Sequence, residues 1–119
     1  MKVTINHTEG SEKTGMFSKP KTYYLAKFDV QLSDEELAII RERDLSNVVM
    51  LTWDDPNDKF VPKINVSVGD LIRNRGFARR CATPADAKRF DAEGREALKN
   101  LKAALEENAT IGQSDSFEL

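Results

Sequence analysis

The chain has 119 residues and a formal charge of −2, from 18 basic and 20 acidic side chains. This length suits one domain with its own hydrophobic core and is too short for two. The near balance of charge excludes a general electrostatic attraction to nucleic acid or to an anionic membrane, although a local basic patch is compatible with it. One cysteine, Cys81, excludes an internal disulfide. Small secreted domains usually depend on several disulfides, so a cytoplasmic location is expected.

The two ends of the sequence differ in character. Residues 1–8 have polar side chains at every second position and no apolar run, so neither a signal peptide nor a membrane anchor is expected there. From Ala109 the sequence changes from an amphipathic helical pattern to small and polar residues. The predicted organisation is a single domain over 1–108, followed by a flexible C-terminal tail over 109–119.

Two segments near the N-terminus alternate between apolar and polar residues, with the period of two that is typical of half-buried strands. Val3, Ile5 and His7 share one face of the first segment. The apolar face of the second segment is longer and consists of Tyr24, Ala26, Phe28, Val30 and Leu32. Two such strands so close in sequence are expected to pair as an antiparallel hairpin, with a long connection over 9–21.

Two helices are predicted from their N-terminal signals. Ser33 and Glu36 have the spacing of a capping box, which predicts a shorter helix at about 33–43. Thr83 followed by Pro84 is typical of a second helix start, and this helix is predicted to cover 84–108. Its apolar stripe, which needs an apolar surface to cover it, consists of Ala87, Phe90, Gly94, Ala97, Leu98, Leu101, Ala104 and Leu105.

The middle of the chain is less regular. Residues 48–53 favour a strand, and 54–58 have the composition of a turn. Residues 64–68 favour either an extended segment or, with Ser67 as the cap, a short helix ending at Gly76. Residues 76–82 indicate one more short strand.

Together these elements predict a two-layer α+β domain. Its antiparallel β-sheet contains the N-terminal hairpin and one or two short strands, packed by the long C-terminal helix and the helix at about 33–43.

His7 and Cys81 are the residues whose chemistry most readily supports catalysis. His7 is the only histidine, and as a general base it needs a nucleophile or an orienting carboxylate nearby. The favoured interpretation is a half-buried strand residue whose ring is partly in contact with water. Cys81 follows Arg79 and Arg80, whose guanidinium groups would lower the pKa of a nearby thiol. Only Arg79 shares its side of a strand, and an inert structural cysteine is the favoured interpretation. No catalytic residue, cofactor or metal site is predicted. In particular, the acidic segment at 54–58 lacks the residue pattern of a calcium-binding loop.

A local excess of positive charge lies between Asp70 and Asp86. Basic residues interleaved with an aromatic ring are typical of a surface for single-stranded nucleic acid or an acidic partner. The alternative, which is favoured, is a solvated edge strand whose charges prevent self-association. The residues of this candidate patch are Arg73, Arg75, Phe77, Arg79 and Arg80.

Three further positions are candidates for contact with a protein partner. Met16 and Phe17 form an apolar pair in a polar segment, which either folds back onto the core or forms an exposed anchor. Trp53, which is also apolar and lies next to a predicted turn, is instead expected to fold back onto the core and is not one of the three. Gly94 interrupts the apolar stripe of the long helix, where it accommodates a bulky ring such as Phe28 or Trp53, or a subunit interface.

These observations lead to three functional hypotheses. The leading one is a non-enzymatic protein-interaction module that binds a protein partner or itself, as a homodimer or as a subunit of a complex, and does not bind membranes. The second is a small nucleic-acid-binding protein that uses the arginine-rich strand, and the third is a thiol- or histidine-dependent enzyme.

Overall fold

The structure is a computed structural model that describes residues 1–13, 15, 19–55 and 61–112. Within these ranges the chain is an α+β domain, as predicted. Its elements in chain order are β1 (Lys2–Glu12), β2 (Lys21–Gln31), α1 (Asp34–Glu42), β3 (Val49–Asp54), β4 (Lys63–Ser67), α2 (Val68–Asn74), β5 (Gly76–Cys81) and α3 (Pro84–Gly112).

The larger sheet has the strand order β1-β2-β5 within the described residues. The predicted hairpin is confirmed: β1 and β2 pair antiparallel from Lys2 opposite Gln31 to Glu12 opposite Lys21. Both strands are longer than the apolar alternation indicated, because the polar residues near the loop pair through their backbones and stay exposed. Strand β5 pairs with the other edge of β2, from Tyr24 opposite Cys81 to Asp29 opposite Gly76.

Strands β3 and β4 form a separate antiparallel pair, with an irregularity between Val49 and Leu51. Residues Asn65 and Val66 of β4 and Phe77 and Ala78 of β5 line one groove, so β4 lies beside the outer edge of β5. The two interpretations of the segment around Ser67 are both correct, since β4 ends at Ser67 and α2 begins directly after it.

All three helix starts carry a side-chain cap. The capping box at Ser33 is present with both hydrogen bonds, and Ser67 forms the same arrangement with Asp70. At α3 the backbone N–H of Asp86 donates to Oγ1 of Thr83 at 3.1 Å. Helix α3 continues through Gly112, four residues beyond the predicted end at 108. The flexibility of the tail stays a prediction, and residues 113–119 lie outside the described part.

The core lies between the sheet and α3, and aromatic rings form its centre. The rings of Phe28 and Phe77 stack with their centroids 4.6 Å apart, and the ring of Phe90 packs edge-on against both. Trp53 is fully buried, as expected, and also contacts Phe90 edge-on, with centroids 5.1 Å apart. The predicted stripe of α3 is buried except at Ala104, which is exposed.

Within the described residues, the helices are all too short or too polar to cross a lipid bilayer.

Candidate functional site

The outer edge of β1 is open in the part of the chain that the structure describes, where β1 hydrogen-bonds to β2 alone. The direction of its backbone groups follows from one bond on the far side of the sheet. The N–H of Val30 donates to the carbonyl of Arg75 at 2.9 Å, so Val30 directs its backbone groups away from β1. Backbone groups alternate in direction along an antiparallel strand. The residues of β1 whose N–H and C=O groups point outward are therefore Val3, Ile5, His7, Glu9 and Ser11.

This edge carries the charged side chains of Lys2, Glu9 and Glu12 but lacks the other common protections against strand pairing. Proteins commonly protect sheet edges with proline, bulges, short strands or covering elements. Strand β1 has 11 residues, no proline and an unbroken register with β2. The opposite edge, at β5, has six residues and lies beside β4 and α2. Of the two edges, β1 is the one suited to pairing with another strand.

His7 lies at the middle of β1, on the face that carries α3. Its Nε2 is 2.6 Å from Oδ2 of Asp91, and the Nε–H of Arg95 donates to Oδ1 of the same carboxylate at 2.5 Å. The hydrogen bond from Arg95 lowers the pKa of Asp91; burial opposes this shift, and the contact with His7 adds to it. Asp91 is therefore held as a carboxylate and fixes the orientation of the His7 ring.

The cleft beside His7 has a volume of about 550 Å³ and is lined by β1, β2 and α3. Thr8 and Tyr24 also line it, but the hydrogen bond of the His7 ring among the described residues is with Asp91. The orienting carboxylate that a general base needs is present, whereas no nucleophile is hydrogen-bonded to the ring in this part of the chain. The arrangement positions His7 without activating a second group.

The five residues of the candidate basic patch do not lie together. Arg73 pairs with Asp70 at 2.5 Å, and Arg75 is the C-cap of α2 and lines a groove that does not include Arg73. Phe77 is buried in the core, so its ring is not available to stack on a nucleobase. Arg79 and Arg80 point to opposite faces of β5, which is an edge strand of the larger sheet within the described residues. Arg80 is solvated, as expected for such an edge, whereas Arg79 is largely buried.

Arg79 and Arg80 also have different surroundings, because they lie on opposite faces of the sheet. The side chain of Arg79 is 11% exposed; it lies 3.9 Å from a carboxylate oxygen of Asp55 and donates to the carbonyl of Val61 at 2.8 Å. The guanidinium of Arg80 lies 4.5 Å from the ring centroid of Tyr23 and 3.3 Å from Glu12 on the open face of the sheet. Arg79 therefore connects the end of β3 to the larger sheet, while Arg80 packs on the hairpin surface.

Cys81 is buried, with 1% of its surface exposed. Burial raises the pKa of its thiol to about 11, and the nearby carboxylates of Asp86 and Asp55 act in the same direction. Arg79 lies on the same side, as expected, but its effect is smaller. The thiol is protonated at neutral pH and inaccessible, which is the setting of a structural cysteine.

The remaining candidate contacts are placed as follows. Met16 and Phe17 lie outside the described residues. Gly94 is buried in the chain's own core, where Cζ of Phe28 would lie 2.5 Å from a Cβ atom at this position. The notch at Gly94 is therefore filled from within the chain. Across the described residues, no group of three or more His, Cys, Asp or Glu side chains is arranged to hold a metal ion.

No protein-family model matches the chain, and neither a curated protein nor a solved structure gives a significant match.

Proposed function

We propose that this domain is a protein-interaction module that forms a homodimer by antiparallel pairing of β1 from two copies. The observation that carries the proposal is the open edge of β1, which is long and unbroken. An exposed strand edge presents a row of unpaired N–H and C=O groups, and another strand satisfies them.

The sequence of β1 supports a second copy as the partner strand. Two copies related by a twofold axis at His7 place Val3 opposite Ser11, Ile5 opposite Glu9 and His7 opposite itself. Each of these residues directs its backbone groups outward, so all five outward-facing positions are used. Five residue pairs that each exchange two hydrogen bonds give a ladder of about ten bonds.

The charges at the ends of β1 favour the same register. Lys2 is placed opposite Glu12 of the second copy, once at each end of the paired strands. Both side chains lie on the open face of the sheet, and that of Glu12 is 56% exposed. Opposite charges directly across an antiparallel pair stabilise it, and like charges destabilise it.

Apolar side chains near the edge also favour coverage by a partner. Val3 is 39% exposed and Ile5 is half-buried, on the face of β1 that carries α3. A second copy of β1 beside them extends the sheet and removes part of this apolar surface from water. Pairing therefore joins backbone hydrogen bonds, apolar contact and charge complementarity in a single register.

A charge-reversal series tests the register. The Lys2→Glu substitution places two carboxylates opposite each other at both ends of the ladder, and the dimer dissociation constant is expected to rise roughly tenfold at low salt. The Lys2→Glu/Glu12→Lys double variant restores opposite charges and is expected to recover most of the affinity. Sedimentation equilibrium measures the constants.

Lys63 provides the matched control, because it is an exposed lysine on β4 of the separate smaller sheet rather than on β1. Lys63→Glu makes the same change in net charge and is expected to leave the dissociation constant within about twofold of the unsubstituted protein. Equal weakening by Lys63→Glu and Lys2→Glu would contradict the proposed register, as would a double variant that shows no recovery.

A further inference from the structure

A groove at the end of the larger sheet shares Lys2 with the charge pairs of the proposed dimer and otherwise lies outside them. It has a volume of about 650 Å³, within the range of small-molecule sites. Strand β2, the residue after it, α1 and α2 supply its apolar lining, which consists of Val30, Leu32, Leu37, Leu71 and Ile72. Leu32, Leu37 and Ile72 are only partly buried, so apolar surface remains open to water inside the groove.

Arg75 lines this groove in an unusual backbone conformation. It is the C-cap of α2, with φ 55° and ψ 35°, in the left-handed region. Glycine and asparagine usually occupy this position, because a side chain with a Cβ atom is strained there. Hydrogen bonds hold the backbone in place: the Arg75 N–H donates to Ile72 and its carbonyl accepts from Val30. A strained residue kept at the rim of a cavity indicates a use for its side chain.

The guanidinium of Arg75 has no ion pair or hydrogen bond among the described residues, although the residue is exposed beside the groove. Lys2 lines the same groove and likewise lacks a side-chain partner in the described ranges. The acidic residue of the lining, Asp29, lies 3.8 Å from the ammonium of Lys27, which offsets its charge. The groove therefore combines an apolar floor with an excess of positive charge at its rim.

We infer that this groove binds an amphipathic monocarboxylate with an unbranched aliphatic chain, whose carboxylate pairs with Arg75 while its chain covers the apolar floor. The planar guanidinium donates two parallel hydrogen bonds to a carboxylate, a geometry that lysine does not offer. The chain removes the open surface of Leu32, Leu37 and Ile72 from water. This inference goes beyond the proposed function and does not depend on dimer formation.

Calorimetric titration of the full chain with decanoate tests the inference, with decanol as the uncharged ligand of the same length. We expect decanoate to bind with a stoichiometry of one per chain and at least about tenfold more tightly than decanol. In a parallel titration with decanoate followed by NMR, amide chemical shifts are expected to change in residues 29–32 and 71–76.

The Arg75→Gly substitution removes the guanidinium and relieves the backbone strain. It is therefore expected to weaken decanoate binding at least about tenfold while the protein unfolds at the same or a higher urea concentration. Arg73→Ala removes a cation of the same helix that does not line the groove, and decanoate binding is expected to be unchanged. Absence of decanoate binding would overturn the inference, as would equal binding by the Arg75→Gly variant or shift changes elsewhere in the chain.

Discussion

The close contact between Gly94 and Phe28 makes a specific prediction about stability. In a helix interior, Gly→Ala normally stabilises a protein by about 1 kcal/mol. At Gly94 the added Cβ would lie 2.5 Å from Cζ and 2.8 Å from Cε1 of Phe28. The Phe28 ring is fully buried and stacked on Phe77, so it has little space to move away. Overpacking of this kind costs about 1–3 kcal/mol, and the upper part of the range applies because the whole ring must shift.

We therefore expect Gly94→Ala to lower the free energy of unfolding by about 1–2 kcal/mol, after the helix-propensity gain is included. Urea denaturation followed by circular dichroism measures this change. Phe28→Leu removes part of the ring, so Gly94→Ala in that background is expected to be neutral or stabilising. A Gly94→Ala variant that is more stable than the unsubstituted protein would refute the packing described here.

Three other predictions follow from the site. Glu9→Pro removes an outward N–H from each copy, so about two hydrogen bonds are lost from the dimer, and its dissociation constant is expected to rise about 30-fold in sedimentation equilibrium. Thr8→Pro instead interrupts the β1–β2 ladder and is expected to unfold the hairpin. Equal effects of the two substitutions would contradict the strand orientation. Cys81 is expected to resist iodoacetamide at neutral pH until urea unfolds the protein, as followed by mass spectrometry, and fast native alkylation would contradict its raised pKa. The pKa of Asp91 is lowered in the folded state, chiefly by the hydrogen bond from Arg95. The stabilising contribution of this carboxylate is therefore present above about pH 4 and is lost as the pH falls through the pKa of the folded state. The Asp91→Asn variant is expected to lose less stability on acidification in urea titrations, and an unchanged acid dependence would contradict this.

Local signals predicted much of the fold. The capping box at Ser33 depends on side chains three residues apart, so the sequence is sufficient to identify it. The apolar alternation through Phe28 likewise identified the buried face of β2. Both features depend on chain-local geometry, which repeats in the same way wherever the element is placed.

The contacts of the site depend on long-range packing. Asp91 and Arg95 have the spacing of four residues that brings side chains together on a helix, whereas His7, which also contacts Asp91, is 84 residues away from it. That contact exists because α3 crosses the sheet beside β1, and nothing in the local pattern specifies the crossing. The burial of Arg79 has the same origin, since Asp55 and Val61 reach it from the β3–β4 hairpin.

The open edge of β1 was also hidden from the sequence. The alternation of Val3, Ile5 and His7 identifies a strand but does not show which side of it pairs. Strand order decides that side, and it depends on where β5 returns to the sheet. Once the order is known, the outward-facing positions of β1 follow from strand geometry.

The solution mass, measured by light scattering over a range of protein concentrations at low and high salt, decides whether β1 joins two copies. The proposed dimer predicts a mass twice that of the 13.4 kDa chain at the higher concentrations. High salt is expected to weaken the dimer without abolishing it, because it screens the Lys2–Glu12 pairs but not the backbone hydrogen bonds. A monomer mass at every concentration and both salt conditions would contradict the claim that β1 joins two copies.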